Sequence, residues 1–182
     1  QKGALFKCAP PLRSQDEVNR LWEHVANGTF SGIASDHSPC AYEEKFGSNL
    51  LTPFDVWGGI SGIQSVFQAV FSEGCLKRGL PPEKLALAMC EKPARAFGLW
   101  GRKGALLPGF DGDLVLVDPN QEWEIREEDL CYQNPISAFV GMRGRGLPVA
   151  VWVRGELAAE NGRPVGPEGR GRLVWKEKEG RK

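Results

Sequence analysis

Apolar residues recur at helical spacing in the stretch SQDEVNRLWEHVANG, residues 14–28. Its apolar members follow the i, i+3, i+4, i+7 order of one helix face: Val18, Leu21, Trp22 and Val25. Ser14 and Glu17 have the spacing of a capping box, and Gly28 stands where a helix commonly ends. The pattern therefore predicts an amphipathic helix with both ends marked.

The rest of the first half predicts further helices and one strand. The segment FSGIAS (30–35) reads as a short buried strand, and WGGISGIQSVFQAVF (57–71) passes from a glycine-rich turn into a helix. That helix has an apolar face made of Ile63, Val66, Phe67, Val70 and Phe71. A third helix begins at Pro81 and Pro82. A short fourth helix is predicted in KPARAFGLWG (92–101), and it ends at Gly98. This order of elements favours an α/β fold.

After Gly101 the pattern changes to strands. LVLV (114–117) is flanked by Asp-Gly and Asp-Pro pairs, and LPVAVWVRGELAAENGRPV (147–165) predicts two strands joined at Arg154-Gly155. Asn161-Gly162 predicts another tight turn. We therefore expect a boundary near residues 100–104, with a first region over 1–101 and a β-rich region over 102–165. The glycine-rich and charged stretch 166–182 predicts a flexible, solvated tail.

Composition and charge exclude several functional classes. Lys plus Arg and Asp plus Glu number 23 each, so no overall field favours nucleic acid or a membrane surface as partner. No apolar run approaches the roughly 20 residues that a membrane-spanning helix needs. The five cysteines are widely spaced and include no Cys-x-x-Cys pair, which is typical of reduced thiols in a cytoplasmic protein.

Candidate chemistry begins at Asp36, at the end of the predicted strand. A carboxylate at the C-terminal end of a strand is where (β/α) enzymes carry catalytic groups. An aspartate in this position also commonly caps the turn that follows it. Position alone leaves both interpretations open.

Several sequence blocks carry a resemblance to a known family. KCAPPLR (7–13), SDHSPC (35–40), WGGISGIQ (57–64), KPARAFGL (92–99), PGFDGDLVLVDP (108–119) and NPISAFVG (134–141) stand in the order seen in the cyclic amidohydrolases. That family includes hydantoinases, dihydroorotases and allantoinases, and the blocks are most similar to those of the allantoinases. Dihydroorotases usually have histidine where Cys40 stands, which argues against that branch.

The resemblance implies a fold, a cofactor and a reaction. Its members hold two metal ions, usually zinc, in a (β/α)8 barrel, beside a small β-sandwich built from both chain ends. Their aspartate in the Ser-Asp-His block binds a metal and shuttles a proton, and this role carries over to Asp36. The expected substrate is a small cyclic amide, with allantoin opened to allantoate, and the expected assembly is a homo-oligomer, a tetramer in relatives.

Other residues carry over with smaller roles. Ala9 stands where relatives contact substrate with Ser or Asn, so only its backbone can serve; Gly58 stands where hydantoinases hold the cyclic imide with backbone groups. Either residue can equally be explained by tight packing. We expect His37 to support the loop, His24 to lie on the surface, and Cys8 and Cys40 to border the pocket.

The metal ligands that the resemblance implies are mostly absent. The family's His-x-His pair, carboxylated lysine and two further histidines have no counterpart among the 182 residues, and one aspartate cannot hold two zinc ions. We therefore expect the chain to be the C-terminal portion of a longer enzyme. Two alternatives are kept: a hydantoinase or dihydropyrimidinase, and a non-catalytic interaction protein on the amidohydrolase scaffold.

Overall fold

A computed structural model describes residues 2–175 of the chain. Within this range, no helix combines the length and the apolar character needed to cross a membrane. The helices are α1 (Lys2–Leu5), α2 (Gln15–Ala26), α3 (Tyr42–Phe46), α4 (Val66–Val70), α5 (Pro82–Ala86) and α6 (Lys92–Ala96). The strands are β1 (Leu114–Glu124), β2 (Arg143–Val153), β3 (Glu156–Glu160) and β4 (Arg163–Pro164).

The predicted helix at residues 14–28 is confirmed as α2. The Ser14 hydroxyl accepts from the Glu17 N–H at 3.4 Å, and the Glu17 carboxylate accepts from the Ser14 N–H at 3.2 Å. Both halves of the capping box are therefore made, which satisfies donors that the first helical turn leaves free. The helix ends at Asn27, and Gly28 follows with a φ of +79°.

The other predicted helices are also confirmed, with wider turns than expected. Phe71–Lys77 continues α4 and Leu87–Glu91 joins α5 to α6, both in π-helical geometry. Ile63 was predicted on the apolar face of α4, but it lies before the helix begins and is exposed. The buried centre of this half consists of Phe71, Leu80 and Leu85.

The predicted buried strand at residues 30–35 is wrong. The segment forms no ladder, and Ser31, Gly32 and Ala34 are exposed. A strand needs a neighbour for its backbone groups, and the described chain offers this region only a one-residue parallel bridge between His37 and Ile60. The Ile33 N–H bonds instead to the Ala88 carbonyl of the helix, at 3.0 Å.

The second half folds into an antiparallel sheet in the order β1-β2-β3-β4. Both predicted tight turns are present, with positive φ at Arg154-Gly155 (+54° and +78°) and at Asn161-Gly162 (+49° and +77°). Two consecutive positive φ values are the mark of the hairpin turn whose twist matches that of the strands. The strand predicted at 114–117 is confirmed but runs on to Glu124, with irregular pairing around Pro119.

The sheet packs on the helical half through the turn that follows α4. The Ser72 hydroxyl accepts from the Arg145 N–H of β2 at 3.1 Å, and within the sheet the Trp123 indole of β1 donates to the Gly146 carbonyl of β2 at 3.1 Å. A Cβ built on Gly146 would overlap the Phe71 ring, and one built on Gly144 would overlap the Ser72 hydroxyl. Two glycines of β2 therefore allow its close approach to the helical half.

The flexible tail over residues 166–182 stays a prediction, and residues 176–182 lie outside the described residues. In the described part, the Arg170 guanidinium donates to the carbonyls of Leu157 and Ala158 in β3, each at 2.7 Å. These bonds tie Arg170 to the sheet.

Because β2 packs so closely on Phe71, we expect Gly146→Ala to lower the free energy of unfolding of the full-length protein substantially. Gly146 has a φ of +86°, so an alanine there costs about 1–2 kcal/mol in backbone strain, and overlap with Phe71 adds about 1–3 kcal/mol. Gly162→Ala is the control, because Gly162 has a φ of +77° with open space where its Cβ would stand. Urea denaturation should show a larger loss of unfolding free energy for Gly146→Ala than for Gly162→Ala. Equal losses in the two variants would contradict the described packing.

Candidate functional site

Asp36 has an unusual backbone and a free carboxylate. Its φ is +45°, in the left-handed region that residues other than glycine seldom adopt, and the residue is exposed. No hydrogen bond within residues 2–175 uses its side chain, so the capping interpretation has no support in the described geometry. Backbone strain of this kind is concentrated at functional sites, which makes Asp36 a candidate for chemistry.

His37 fastens the same loop to the next segment. Its Nδ1 accepts from the N–H groups of Gly62 at 3.2 Å and of Ile63 at 3.4 Å. An acceptor at Nδ1 requires the neutral ring with its proton on Nε2. The ring also packs against Tyr132 with centroids 5.1 Å apart. His37 therefore holds the Asp36 loop in place.

The loop of Asp36 lies alongside residues 57–62. The Ser38 N–H donates to the Ile60 carbonyl at 3.0 Å, and the Trp57 indole donates to the Ser38 carbonyl at 3.4 Å. A Cβ on Gly59 would overlap the Ser38 side chain, so this glycine is required for the close approach of the two segments.

The two predicted substrate-binding residues come together. A Cβ built on Gly58 would lie 3.9 Å from the Ala9 Cβ, an ordinary contact distance. Tight packing therefore does not explain the glycine at position 58, in contrast to Gly59. No hydrogen bond of the described residues uses the Gly58 N–H, which leaves this donor available.

A buried lysine joins the segments that carry these candidates. Lys45 of α3 is only 3% exposed, and its ammonium donates to the carbonyls of Ala4 (3.1 Å), Lys7 (3.0 Å) and Trp57 (2.9 Å). An ammonium has three N–H donors, so all of them are used. Lys7 is two residues before Ala9, and Trp57 directly precedes Gly58. One cation thus connects α3 with the segments of Ala9 and Gly58.

Two thiols lie near Lys45. Burial lowers the pKa of Lys45, while the nearby Cys40 and Cys8 act in the opposite direction. Burial also raises the pKa of the Cys40 thiol, against the attraction of Lys45. Cys40 is buried and Cys8 is half-buried.

Sequence reasoning missed Lys45. It stands in the charged run YEEKF (42–46), and such a run is ordinarily a solvated helix face. No local pattern distinguishes this lysine from a solvated one, so its burial had no usable signal in the sequence. His24, in contrast, is exposed on α2.

The β-rich half supports the site from the other side. The Gln64 side chain donates to the Asp129 carbonyl and accepts from the Cys131 N–H, each at 2.8 Å. The Tyr132 hydroxyl accepts from the Gln64 N–H at 3.0 Å. The loop that packs against His37 is therefore fixed by one amide side chain.

The described residues do not amount to a metal site. No group of three or more His, Cys, Asp or Glu side chains within residues 2–175 is arranged to hold a metal ion. His37 already uses Nδ1 for backbone donors, whereas the Asp36 carboxylate has no hydrogen-bond partner among residues 2–175. A zinc site normally needs three or four protein ligands, and the residues present do not fit one by themselves.

A cleft lies away from Asp36, Ala9 and Gly58. It measures about 740 Å³ between the turn after α4 and strands β1 and β2, and Ser72, Trp123, Glu124 and Arg143 are among its lining residues. Glu124 and Arg143 already form an ion pair at 2.9 Å. None of the residues that the sequence predicts for the site lines this cleft. The segments of Asp36, Ala9 and Gly58 therefore remain the candidate site.

Comparison with known proteins identifies the family of the chain. The profile of the amidohydrolase family matches residues 7–158. An allantoinase of Rubrobacter xylanophilus is 50% identical over 169 residues, and one of Bacillus licheniformis is 34% identical over 172 residues. These matches cover 92% and 94% of this chain, and 36% and 37% of the two relatives.

Solved structures of the same family share the fold. A D-hydantoinase (dihydropyrimidinase) from Thermus sp. superposes with a TM-score of 0.85 at 31% identity, over 93% of this chain and 37% of that one. An L-hydantoinase (dihydropyrimidinase) from Arthrobacter aurescens gives a TM-score of 0.85 at 33% identity, over 90% and 36%. The chain thus spans little more than a third of the length of the relatives that it matches, and it belongs to the amidohydrolase family.

Proposed function

We propose that the protein to which this chain belongs hydrolyses the hydantoin ring of allantoin to allantoate, a step of purine degradation. The observation that carries the proposal is the 50% identity to an allantoinase over 92% of the chain. The geometry supports it, because the segments of Asp36, Ala9 and Gly58 meet although they are far apart in sequence.

Asp36 is the proposed proton carrier of the reaction. Its carboxylate takes a proton from the attacking water and returns it to the ring nitrogen that leaves, as a general base and then a general acid. The exposed position and the absence of a hydrogen-bond partner among residues 2–175 leave the carboxylate free for this role. The backbone of Ala9 and Gly58 binds the ring amide.

The family implies a divalent metal, and we propose zinc, two ions in the complete enzyme. Asp36 contributes one ligand, and the remaining ligands come from outside these 182 residues. Metal ions bound there would lower the pKa of water towards about 7 and so would supply hydroxide at neutral pH.

The proposed architecture follows the family. Residues 1–101 form the C-terminal part of a (β/α)8 barrel, residues 102–165 belong to a small composite β-sandwich, and 166–182 form a tail. The protein acts in the cytoplasm on a small molecule, without nucleic acid or membrane as partner, and assembles as a homo-oligomer.

Hydantoinase or dihydropyrimidinase activity is the second candidate, because hydantoinases superpose on the chain with a TM-score of 0.85. A non-catalytic scaffold protein is the third, because the described residues contain no metal-binding group of three side chains.

The choice of substrate is tested with the purified full-length protein. We expect kcat/KM for allantoin to exceed that for unsubstituted hydantoin and for dihydrouracil at least tenfold, measured as ring-opened product. A higher kcat/KM for hydantoin or dihydrouracil would support the hydantoinase or dihydropyrimidinase activity. If none of the three compounds is hydrolysed, the non-catalytic scaffold protein is supported instead.

The role of Asp36 predicts that Asp36→Asn lowers kcat of the full-length enzyme by about 10²–10⁴-fold, because an amide cannot carry the proton. Folding should be unchanged, since the side chain has no hydrogen bond to lose within the described residues. Asp16→Asn, an exposed aspartate in the first turn of α2, is the matched control and should keep full activity. Near-normal turnover by Asp36→Asn would contradict the assignment.

The metal is tested by dialysis of the full-length enzyme against a chelator. Ring opening should disappear and return on addition of zinc or another divalent ion, with the metal content followed by elemental analysis. Hydrolysis that persists after complete metal removal would refute the metal-dependent reaction.

A further inference from the structure

Lys45 is a buried charged residue beside the candidate site. Among residues 2–175 its ammonium forms no ion pair with a carboxylate, and three backbone carbonyls are its hydrogen-bond partners. Burying an ammonium is costly unless its donors are all satisfied. Such a group therefore constrains the position of every carbonyl that it binds.

The contact with Trp57 determines the direction of a neighbouring donor. In a planar trans peptide the carbonyl and the N–H point in opposite directions. Because Lys45 holds the Trp57 carbonyl at 2.9 Å, the Gly58 N–H points away from the buried cation. A charge-assisted bond at the carbonyl also polarises the peptide and strengthens its N–H as a donor.

The contact with Lys7 determines where Ala9 lies. The Lys7 carbonyl is 3.0 Å from the Lys45 ammonium, and a Cβ on Gly58 would stand 3.9 Å from that of Ala9. The same cation therefore holds both backbone segments at a constant separation.

We propose that Lys45 is a positioning residue of the substrate site, and that its ammonium presents the Gly58 N–H, beside the backbone of Ala9, to a carbonyl of a cyclic ureide. The proposal rests on the proposed function for the identity of the ligand. Lys45 touches neither the substrate nor the water that attacks it, so it acts on binding rather than on the chemical step.

The chain offers a matched control in Lys92. Its ammonium also donates to backbone carbonyls, those of Gly28 and Phe30 (2.6 Å), but these belong to the loop after α2 and not to the candidate site. A lysine-to-methionine change at either position removes the same type of interaction.

The experiment compares Lys45→Met and Lys92→Met in the full-length enzyme with allantoin as substrate. For Lys45→Met we expect KM to rise at least tenfold while kcat stays within about threefold, the signature of lost binding that the ground and transition states share. For Lys92→Met both constants should remain within about twofold of the wild type. An unchanged KM in folded Lys45→Met would overturn the proposal, as would an equal rise in both variants.

Lys45→Gln covers the case in which the methionine variant does not fold. The amide keeps two N–H donors for the carbonyls, so we expect a KM above that of the wild type, by less than the tenfold expected when all three donors are lost. A KM for Lys45→Gln equal to the wild-type value would overturn the proposal.

Hydrogen exchange separates this proposal from the proposed function. Peptides that cover residues 7–9 and 57–62 should exchange faster in the Lys45 variants than in the wild type and at wild-type rates in Lys92→Met. A wild type that opens no cyclic ureide refutes the proposed function, whereas unchanged exchange in the Lys45 variants refutes the positioning role.

Discussion

The arrangement of the candidate site depends on a buried ammonium. Within residues 2–175 Lys45 forms no ion pair, and its burial is tolerable because each of its three N–H groups meets a carbonyl. The carbonyls of Ala4 and Lys7 are 41 and 38 residues from Lys45 in sequence and that of Trp57 is 12 residues away, so satisfying one cation brings separate segments together. Gly59 makes the approach possible on the other side, because no Cβ separates it from Ser38.

Local rules of sequence predicted the helices and the strands of the second half well, and the strand at 30–35 poorly. The capping box and the apolar face of α2 lie within one stretch, so no distant residue is needed to recognise them. The segment 30–35 has the composition of a strand, but among the described residues it lacks a ladder partner for its backbone, and Ile33 packs on the helical core instead. Strand formation depends on neighbours, which a short window of sequence does not contain.

The candidate site was predicted in part and for similar reasons. Asp36, Ala9 and Gly58 could be named because they stand in blocks that resemble a family, whereas Lys45 stands in a charged run that looks solvated. Its burial follows from the meeting of three segments, which no local pattern reveals. The left-handed backbone of Asp36 was likewise not foreseeable, although aspartate tolerates that conformation better than most residues.

We propose that Asp36 faces a metal centre and a cyclic amide whose backbone partners are Ala9 and Gly58. The most direct test is a crystal structure of the full-length protein with a bound hydantoin, with anomalous data collected at the zinc edge. We expect a metal ion about 2.0–2.2 Å from an Asp36 carboxylate oxygen and the ring amide against the Gly58 N–H. A metal centre that does not include Asp36, or a ring bound away from these residues, would contradict it.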